Sequence, residues 1–258
     1  MPGVKDRIAL VTGAGSADGI GLAIARALLD AGARVAITAT TGRIHDRLAE
    51  LGAAPGRAFV ATADLTDPAQ VARLLEEVEA ALGPVDILVN NAGMVQSGHD
   101  QPGAPLHDTG DDAWAHGIAI NLTTVFLMTR AVLPGMRARG YGRIVQMSSV
   151  TGPVVGIGGS ATYAAAKAGI LGMARSLAIE NGAHGITVNC IGPGWIQTAS
   201  STKAEIIAGH HTPAGRPGRP AEVAHAALFL AAEEASYVTG QLIVVDGGNT
   251  VQEYKVTL

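Results

Sequence analysis

Ile8-Ala9-Leu10-Val11-Thr12-Gly13-Ala14-Gly15-Ser16-Ala17-Asp18-Gly19-Ile20-Gly21 is the stretch that decides the fold of this chain. Its first five residues are apolar or β-favouring without polar alternation, the pattern of a short parallel strand covered on both faces. The glycines that follow make a tight turn, and Gly21 opens an alanine-rich helical pattern that runs to Ala31. In a strand–turn–helix unit, such glycines let backbone N–H groups and the helix N-terminus approach a pyrophosphate. Glycines alone would be weak evidence in a chain that has 34 of them among 258 residues. Their place at the head of the first βα unit points to a dinucleotide site.

The same grammar repeats outward from this unit. Short apolar runs at Arg34 to Thr38, Arg57 to Ala61, Ile87 to Asn90, Arg143 to Met147, Ile186 to Ile191 and Gln241 to Val245 read as strands. Helical patterns lie between them at Ile44 to Leu51, Pro68 to Leu82, Asp112 to Arg139, Thr162 to Glu180 and Pro220 to Ala231. Right-handed crossovers then predict an α/β fold, a single doubly wound, Rossmann-like parallel sheet of about seven strands with helices on both faces. No linker, repeat or low-complexity tract interrupts it, so residues 1–258 read as one dinucleotide-binding domain. Two stretches, Met94 to Gly110 and Gly194 to Arg219, carry no periodicity and are rich in Gly, Pro, His and Ser. Both follow strand carboxyl ends, where open sheets bind ligands, and 194–219 reads as a substrate lid.

Composition bounds the function. A net charge of −4 with scattered Lys and Arg offers no basic stripe for nucleic acid. No 18-residue apolar span and no signal-peptide core are expected, and the single Cys190, in an apolar run, fits a reducing compartment. The expectation is a cytoplasmic protein. Histidines beside polar partners (His210-His211, His99-Asp100, His107-Asp108) lack ligand spacing and read as surface residues, so no metal is expected; His116 and His225 read as ordinary helix residues.

Tyr163 and Lys167, four residues apart in a helical pattern, share a face about 5–6 Å between Cβ atoms. A cation about 4 Å from a phenol, at an effective dielectric near 20, is worth about 4 kcal/mol. That is roughly three pKa units on a group that titrates near 10, enough for a tyrosine to exchange a proton with an alcohol or carbonyl. A solvated surface pair shows the same spacing.

Together, Thr12-Gly13 through Gly21, Asp64-Leu65, Asn90-Asn91-Ala92-Gly93, Asn121, Ser148-Ser149, Tyr163 with Lys167, and Pro193-Gly194 with Thr198 resemble the short-chain dehydrogenase/reductase family over essentially the whole chain. Ala164 to Gly169, Gly185 to Asn189 and Pro213 to Arg216 resemble its 3-oxoacyl-(acyl-carrier-protein) reductases. The resemblance implies an NAD(P)(H)-dependent oxidoreductase, with Tyr163 as general acid/base, Lys167 tuning it and binding the nicotinamide ribose, Ser149 bonding the substrate oxygen and Asn121 holding a relay water. Ser148 competes with Ser149 for that role, and Asn121 could instead pack within its helix. The resemblance also implies cofactor contacts at Gly13, Gly15, Ser16, Gly19, Ile20, Gly21, Thr40, Asp64, Leu65, Asn91, Ala92, Gly93, Pro193, Gly194, Ile196 and Thr198, and a homotetramer.

Departures qualify the carry-over. The glycine turn is longer than the common pattern, with Ala17-Asp18 as the insertion, and the second strand ends Thr38-Ala39-Thr40-Thr41-Gly42-Arg43 with no carboxylate for a ribose 2′-hydroxyl. Thr40, Thr41 and Arg43 could receive a 2′-phosphate, which favours NADP(H) over NAD(H). Where carrier-protein reductases tend to offer Arg, this chain has Ile179 and His184, leaving Arg137 and Arg139 for a basic patch. A 3-oxoacyl thioester is the leading substrate, with a sugar alcohol or a cyclic or aryl ketone as alternative. A nucleotide-binding regulator without catalysis is the alternative of a different class.

Overall fold

The computed structural model describes residues 3–93 and 103–253. Among these residues, β1 (Ile8–Thr12), β2 (Arg34–Ala39), β3 (Ala58–Thr62), β4 (Ile87–Asn90), β5 (Gly142–Met147), β6 (Ile186–Pro193) and β7 (Leu242–Val245) form one parallel sheet in the order β3-β2-β1-β4-β5-β6-β7. β1 pairs with β2 from Ile8↔Arg34 to Thr12↔Thr38, and with β4 from Ala9↔Ile87 to Val11↔Val89. The strand order reverses between β1 and β4, so connections leave their carboxyl ends in opposite directions and a crevice opens there.

β1, β4, β5 and β6 are buried on both faces, and the edge strands β3 and β7 only in part. Along β1, Ala9 and Val11 enter one core with Leu22, Ile24 and Leu28 of α1 (Ile20–Asp30) and Val223, Ala227 and Leu230 of α8 (Pro220–Ala231). Ile8 and Leu10 enter the other, with Val71, Leu74 and Val78 of α3 (Pro68–Leu82), Met128 and Val132 of α5 (Thr124–Arg139) and Ile170 of α6 (Ala161–Asn181). The period of two in the pleat thus serves two aliphatic cores. Full burial of each such side chain is worth about 1.5–3 kcal/mol.

Three expectations need correction. The helix expected unbroken over Asp112 to Arg139 is three pieces: α4 (Asp111–Ile118), a π turn (Ala119–Thr123) and α5. Two side chains account for the break: Asn121 Nδ2 donates to Gly117 O at 3.1 Å and Thr124 Oγ1 to Ile120 O at 3.1 Å. Such bonds to the carbonyl four residues back compete with the main-chain ladder. Second, Asp111–Arg139 contains an 18-residue window of mean hydropathy 1.4, long and apolar enough to cross a membrane; 39% of it is buried here. Val125, Leu127, Met128, Val132 and Met136 lie in the second core, the arrangement of a core helix.

Third, Gly194 to Arg219 is not all loop: it holds α7 (Lys203–His210), begun by a capping box between Thr202 and Glu205. Eight residues starting at a Ser/Thr-x-x-Glu signature are enough for two turns, although the segment's glycines and prolines hide them. Arg137 and Arg139 end α5, where Arg137 Nη1 donates to Asn181 Oδ1 at the end of α6 at 2.8 Å and Arg139 Nη2 donates to the Val85 carbonyl at 2.6 Å; both remain exposed. The remaining helix is α2 (Ile44–Leu51).

Candidate active site

The glycine turn between β1 and α1 is a cradle with no room for side chains. At Gly13, where φ is +68°, a Cβ would lie 2.7 Å from the Ala92 Cα; at Gly21 it would lie 2.6 Å from both Gly13 O and Asn91 Nδ2. α1 begins at an N-cap glycine, Gly19, without a side-chain cap and with no acidic residue in its first turn. Its leading N–H groups therefore have no side-chain acceptor, and the macrodipole adds positive potential at the same place. A bare glycine cradle and an uncapped helix start fit the pyrophosphate of a dinucleotide.

The cradle is tied to β4. Asn91 Nδ2 donates to Thr12 O and Gly13 O, both at 3.0 Å, while the N–H groups of Asn91 and Ala92 both donate to Thr12 Oγ1 at 3.0 Å. Asn91, expected as a cofactor contact, thus also braces the turn. Thr12 is its counterpart and was missed as a site residue, although it stands at the end of the quoted strand where only a hydroxyl could accept both bonds.

At the carboxyl ends of β4 and β5 the remaining motif residues converge. Tyr163 and Lys167 lie on the first turns of α6, with the Lys167 Nζ 5.4 Å from the Tyr163 ring centroid. Lys167 is buried and donates to the Met147 carbonyl at 3.0 Å. The two competing serines separate: Ser148 Oγ donates to Lys167 O at 2.8 Å, a bond that holds α6 to β5, whereas the Ser149 hydroxyl accepts from Thr151 N at 3.0 Å and faces the cavity beside Tyr163, whose phenol it favours in the ionised form. Gly93, with φ at +138°, brings the group together: a Cβ there would lie 2.8 Å from Asn121 Oδ1 and 3.3 Å from Lys167 Nζ. Asn121 sits in the π turn, buried behind Gly93.

Burial dominates the electrostatics of this pair. Burial pushes the Tyr163 phenol above its ordinary value, partly offset by the Ser149 hydroxyl, and the charge of Glu205 pushes it further up. Burial also lowers Lys167 to about 8. The same apolar surroundings disfavour both charged forms, and Lys167 Nζ stands 5.4 Å from the Tyr163 ring centroid while donating to a backbone carbonyl.

A cavity of about 920 Å³ opens above this cluster. It brings together Ile20, Asn91, Gly93, Ser148, Ser149, Tyr163, Lys167, Pro193, Gly194, Ile196 and Thr198, as the sequence reading expected, and adds Val155, Trp195, Glu205, Ile206 and His211, which it did not. Gly13, Gly15, Ser16, Gly19, Gly21 and Ala92 lie in or against the cradle next to it. Thr40, Asp64 and Leu65 stand apart, at the ends of β2 and β3. Thr40 is exposed; Asp64 Oδ1 accepts from Thr66 N at 2.9 Å and from its hydroxyl at 2.7 Å; the Leu65 side chain is buried in the core. Arg43 Nε donates to Thr41 Oγ1 at 3.3 Å. Among the described residues no group of three or more His, Cys, Asp or Glu could hold a metal. His107 pairs with Asp108 on the surface and His225 bonds the Ala221 carbonyl, while His99 and Asp100 lie outside the described residues.

Fold and site together define an oxidoreductase of the dinucleotide-binding α/β class. The family model described as enoyl-(acyl carrier protein) reductase matches residues 13–250, and the chain belongs to the short-chain dehydrogenase/reductase family. It is an NAD(P)-dependent oxidoreductase. It is 42% identical over 250 residues to the 3-oxoacyl-(acyl-carrier-protein) reductase FabG of Escherichia coli (strain K12), covering 95% of this chain and 97% of that one. It is 41% identical over 249 residues to the cis-4-hydroxycyclohexanecarboxylate dehydrogenase of Sinomonas cyclohexanicum, with the same coverage. A solved structure described as a gluconate dehydrogenase from Agrobacterium tumefaciens superposes with a TM-score of 0.87 at 33% identity, covering 97% of this chain and 98% of that one.

Proposed function

We propose that the protein interconverts a 3-oxoacyl thioester and the corresponding 3-hydroxyacyl thioester with NADP(H), through Tyr163, Ser149, Lys167 and Asn121. The observation that carries this reading is that Ser149, Tyr163 and Lys167 stand together on the floor of one cavity, beside the glycine cradle. When bound, the nicotinamide supplies or takes the hydride. Tyr163 gives or takes the proton at the substrate oxygen, and Ser149 orients that oxygen. Burial keeps the Tyr163 phenol protonated, the form that can give a proton to the nascent alkoxide. Lys167 would bind the ribose hydroxyls through donors not used on Met147 O, and Asn121, reached past Gly93, would hold the relay water. The cradle of Gly13, Gly15, Ser16, Gly19, Ile20 and Gly21 would take the pyrophosphate, Asp64 and Leu65 the adenine, and Pro193, Gly194, Ile196 and Thr198 the carboxamide end. α7 and its flanks, residues 194–219, would close over the substrate.

NADP(H) is favoured over NAD(H) because β2 ends without a carboxylate and Thr40, Thr41 and Arg43 stand exposed beside one another. Cytoplasmic residence fits the lone buried Cys190. A homotetramer fits the exposed Phe126 of α5 and Ile179 of α6.

A second reading is favoured by the cis-4-hydroxycyclohexanecarboxylate dehydrogenase, whose identity to this chain nearly equals that of the thioester reductase: the substrate is then a cyclic ketone or a sugar alcohol. Loss of reduced-nicotinamide absorbance with NADPH and NADH, over a panel of acetoacetyl thioester, cyclic ketones and sugar ketoses, tests both. Fastest turnover of the thioester supports the first reading, and turnover of cyclic or sugar substrates alone replaces it with the second.

A further inference from the structure

A substrate whose oxygen meets Ser149 and Tyr163 must lay its remainder along the cavity wall, so the charges on that wall select what enters. Among the described residues the ionisable side chains lining the cavity are Tyr163, Lys167, Glu205 and His211. No guanidinium is among them. Lys167 is buried at the floor with its ammonium on the Met147 carbonyl at 3.0 Å, so it is poorly placed to meet a carboxylate farther up the cavity.

Glu205 is the anion on this wall. It stands in the first turn of α7, where its Oε2 accepts from Thr202 N at 2.7 Å and Thr202 Oγ1 at 2.9 Å, and its own N–H donates to Thr202 Oγ1 at 3.2 Å. This reciprocal cap fixes the carboxylate on the lid at little further cost in rotamer freedom. Its charge reaches the reacting group, since it helps raise the Tyr163 phenol. The same field acts on any negative charge a substrate brings beside Tyr163.

We propose that Glu205 is a specificity-determining residue that repels carboxylate-bearing substrates from the cavity and confines it to uncharged ketones and alcohols. The proposal rests on the cavity being the substrate site, and it deepens the thioester reading: a 3-oxoacyl thioester is neutral around its reacting carbonyl.

The test uses methyl acetoacetate and acetoacetate, which differ mainly in the charge, with wild type, Glu205→Gln and Thr202→Ala. Glutamine also serves at this position of a capping box, so the first variant removes the charge and keeps the cap, and the second weakens the cap and keeps the charge. The measurements are kcat/KM with NADPH and the dissociation constants of both compounds from the enzyme–NADP+ complex. Wild type should prefer the ester at least tenfold, and Glu205→Gln should narrow that preference about tenfold, mainly through KM for the acid, as expected for charges roughly 10 Å apart at an effective dielectric near 20. Equal handling of ester and acid by wild type overturns the proposal. So does a preference unchanged in Glu205→Gln, or one that Thr202→Ala shifts as far, since it would then follow lid order. If neither compound is turned over, the thioester reading is what suffers, and the ratio of dissociation constants still decides the role of Glu205.

Discussion

Tyr163 and Lys167 are a neighbouring pair in which burial is the largest influence on the protonation of each group. Tyr163→Phe keeps the ring and removes the proton donor. It should lower kcat by about 10²–10⁴, the usual range for a general acid or base, while NADPH binding, followed by fluorescence, changes less than about twofold; turnover near wild type would remove Tyr163 from the chemistry. Lys167 makes a prediction of its own. Its ordinary value is 10.5 and burial takes it to about 8. Between those values the unfolded chain holds a proton that the folded protein has released, so stability from this group rises with pH across the window. Below about 8 the buried ammonium costs the fold, of order 3 kcal/mol at most. Lys167→Met should therefore raise Tm at neutral pH, with a gain that shrinks between pH 8 and 10.5, and should abolish turnover. Scanning calorimetry across pH checks this, and a variant less stable at pH 7 would show that the bond to Met147 O outweighs burial. The sequence revealed this pair by its four-residue spacing. It could not reveal that Nζ turns to a carbonyl of β5, because that carbonyl comes from a strand 20 residues earlier in the chain.

At the scale of elements, the site depends on a few ties between strand ends. Asn91 and Thr12 join β4 to β1 through four bonds of 3.0 Å. Thr12→Val removes the acceptor and leaves the Ala92 N–H without its partner, a loss of about 1–3 kcal/mol if it stays buried, while the Asn91 N–H keeps the Val89 carbonyl at 3.1 Å. Both Thr12→Val and Asn91→Ala should lower Tm and weaken NADPH binding about tenfold, read by fluorescence titration. Gly93→Ala should act on catalysis instead: at φ +138° the added Cβ meets Asn121 Oδ1 at 2.8 Å, so kcat should fall at least about tenfold. The π turn that presents Asn121 shows why element boundaries were less legible than element existence. An apolar stripe over 29 residues reads as one helix, since hydrophobic periodicity does not register one wide turn, and the bonds from Asn121 and Thr124 to carbonyls four residues back become visible only in three dimensions. α7 was hidden for the opposite reason: its eight residues lie amid glycines and prolines that mask a short helix.

At the scale of the molecule, large apolar side chains remain on the surface: Phe126 is 43% exposed, Phe229 50% and Ile179 86%. Light scattering should give a particle near four times the 26.1 kDa chain, and Phe126→Asp should shift it to smaller species; a wild-type monomer would overturn the tetramer. Cofactor preference, kcat/KM for NADPH over NADH, should exceed one and fall in Arg43→Ala, because the guanidinium is a counter-charge only for a 2′-phosphate. The sequence by itself determined the parallel doubly wound sheet, the dinucleotide cradle and the family's motif residues, because strand and helix periodicity and turn glycines are local properties of the chain. Tertiary structure alone decided which serine stands beside Tyr163, that Thr12 braces the cradle, that Arg137 meets the end of α6, and that Glu205 joins the wall of the cavity. Each of these depends on where distant strand ends and a lid helix meet, and burial, charge and hydrogen-bond direction at such a meeting point have no local signature in sequence.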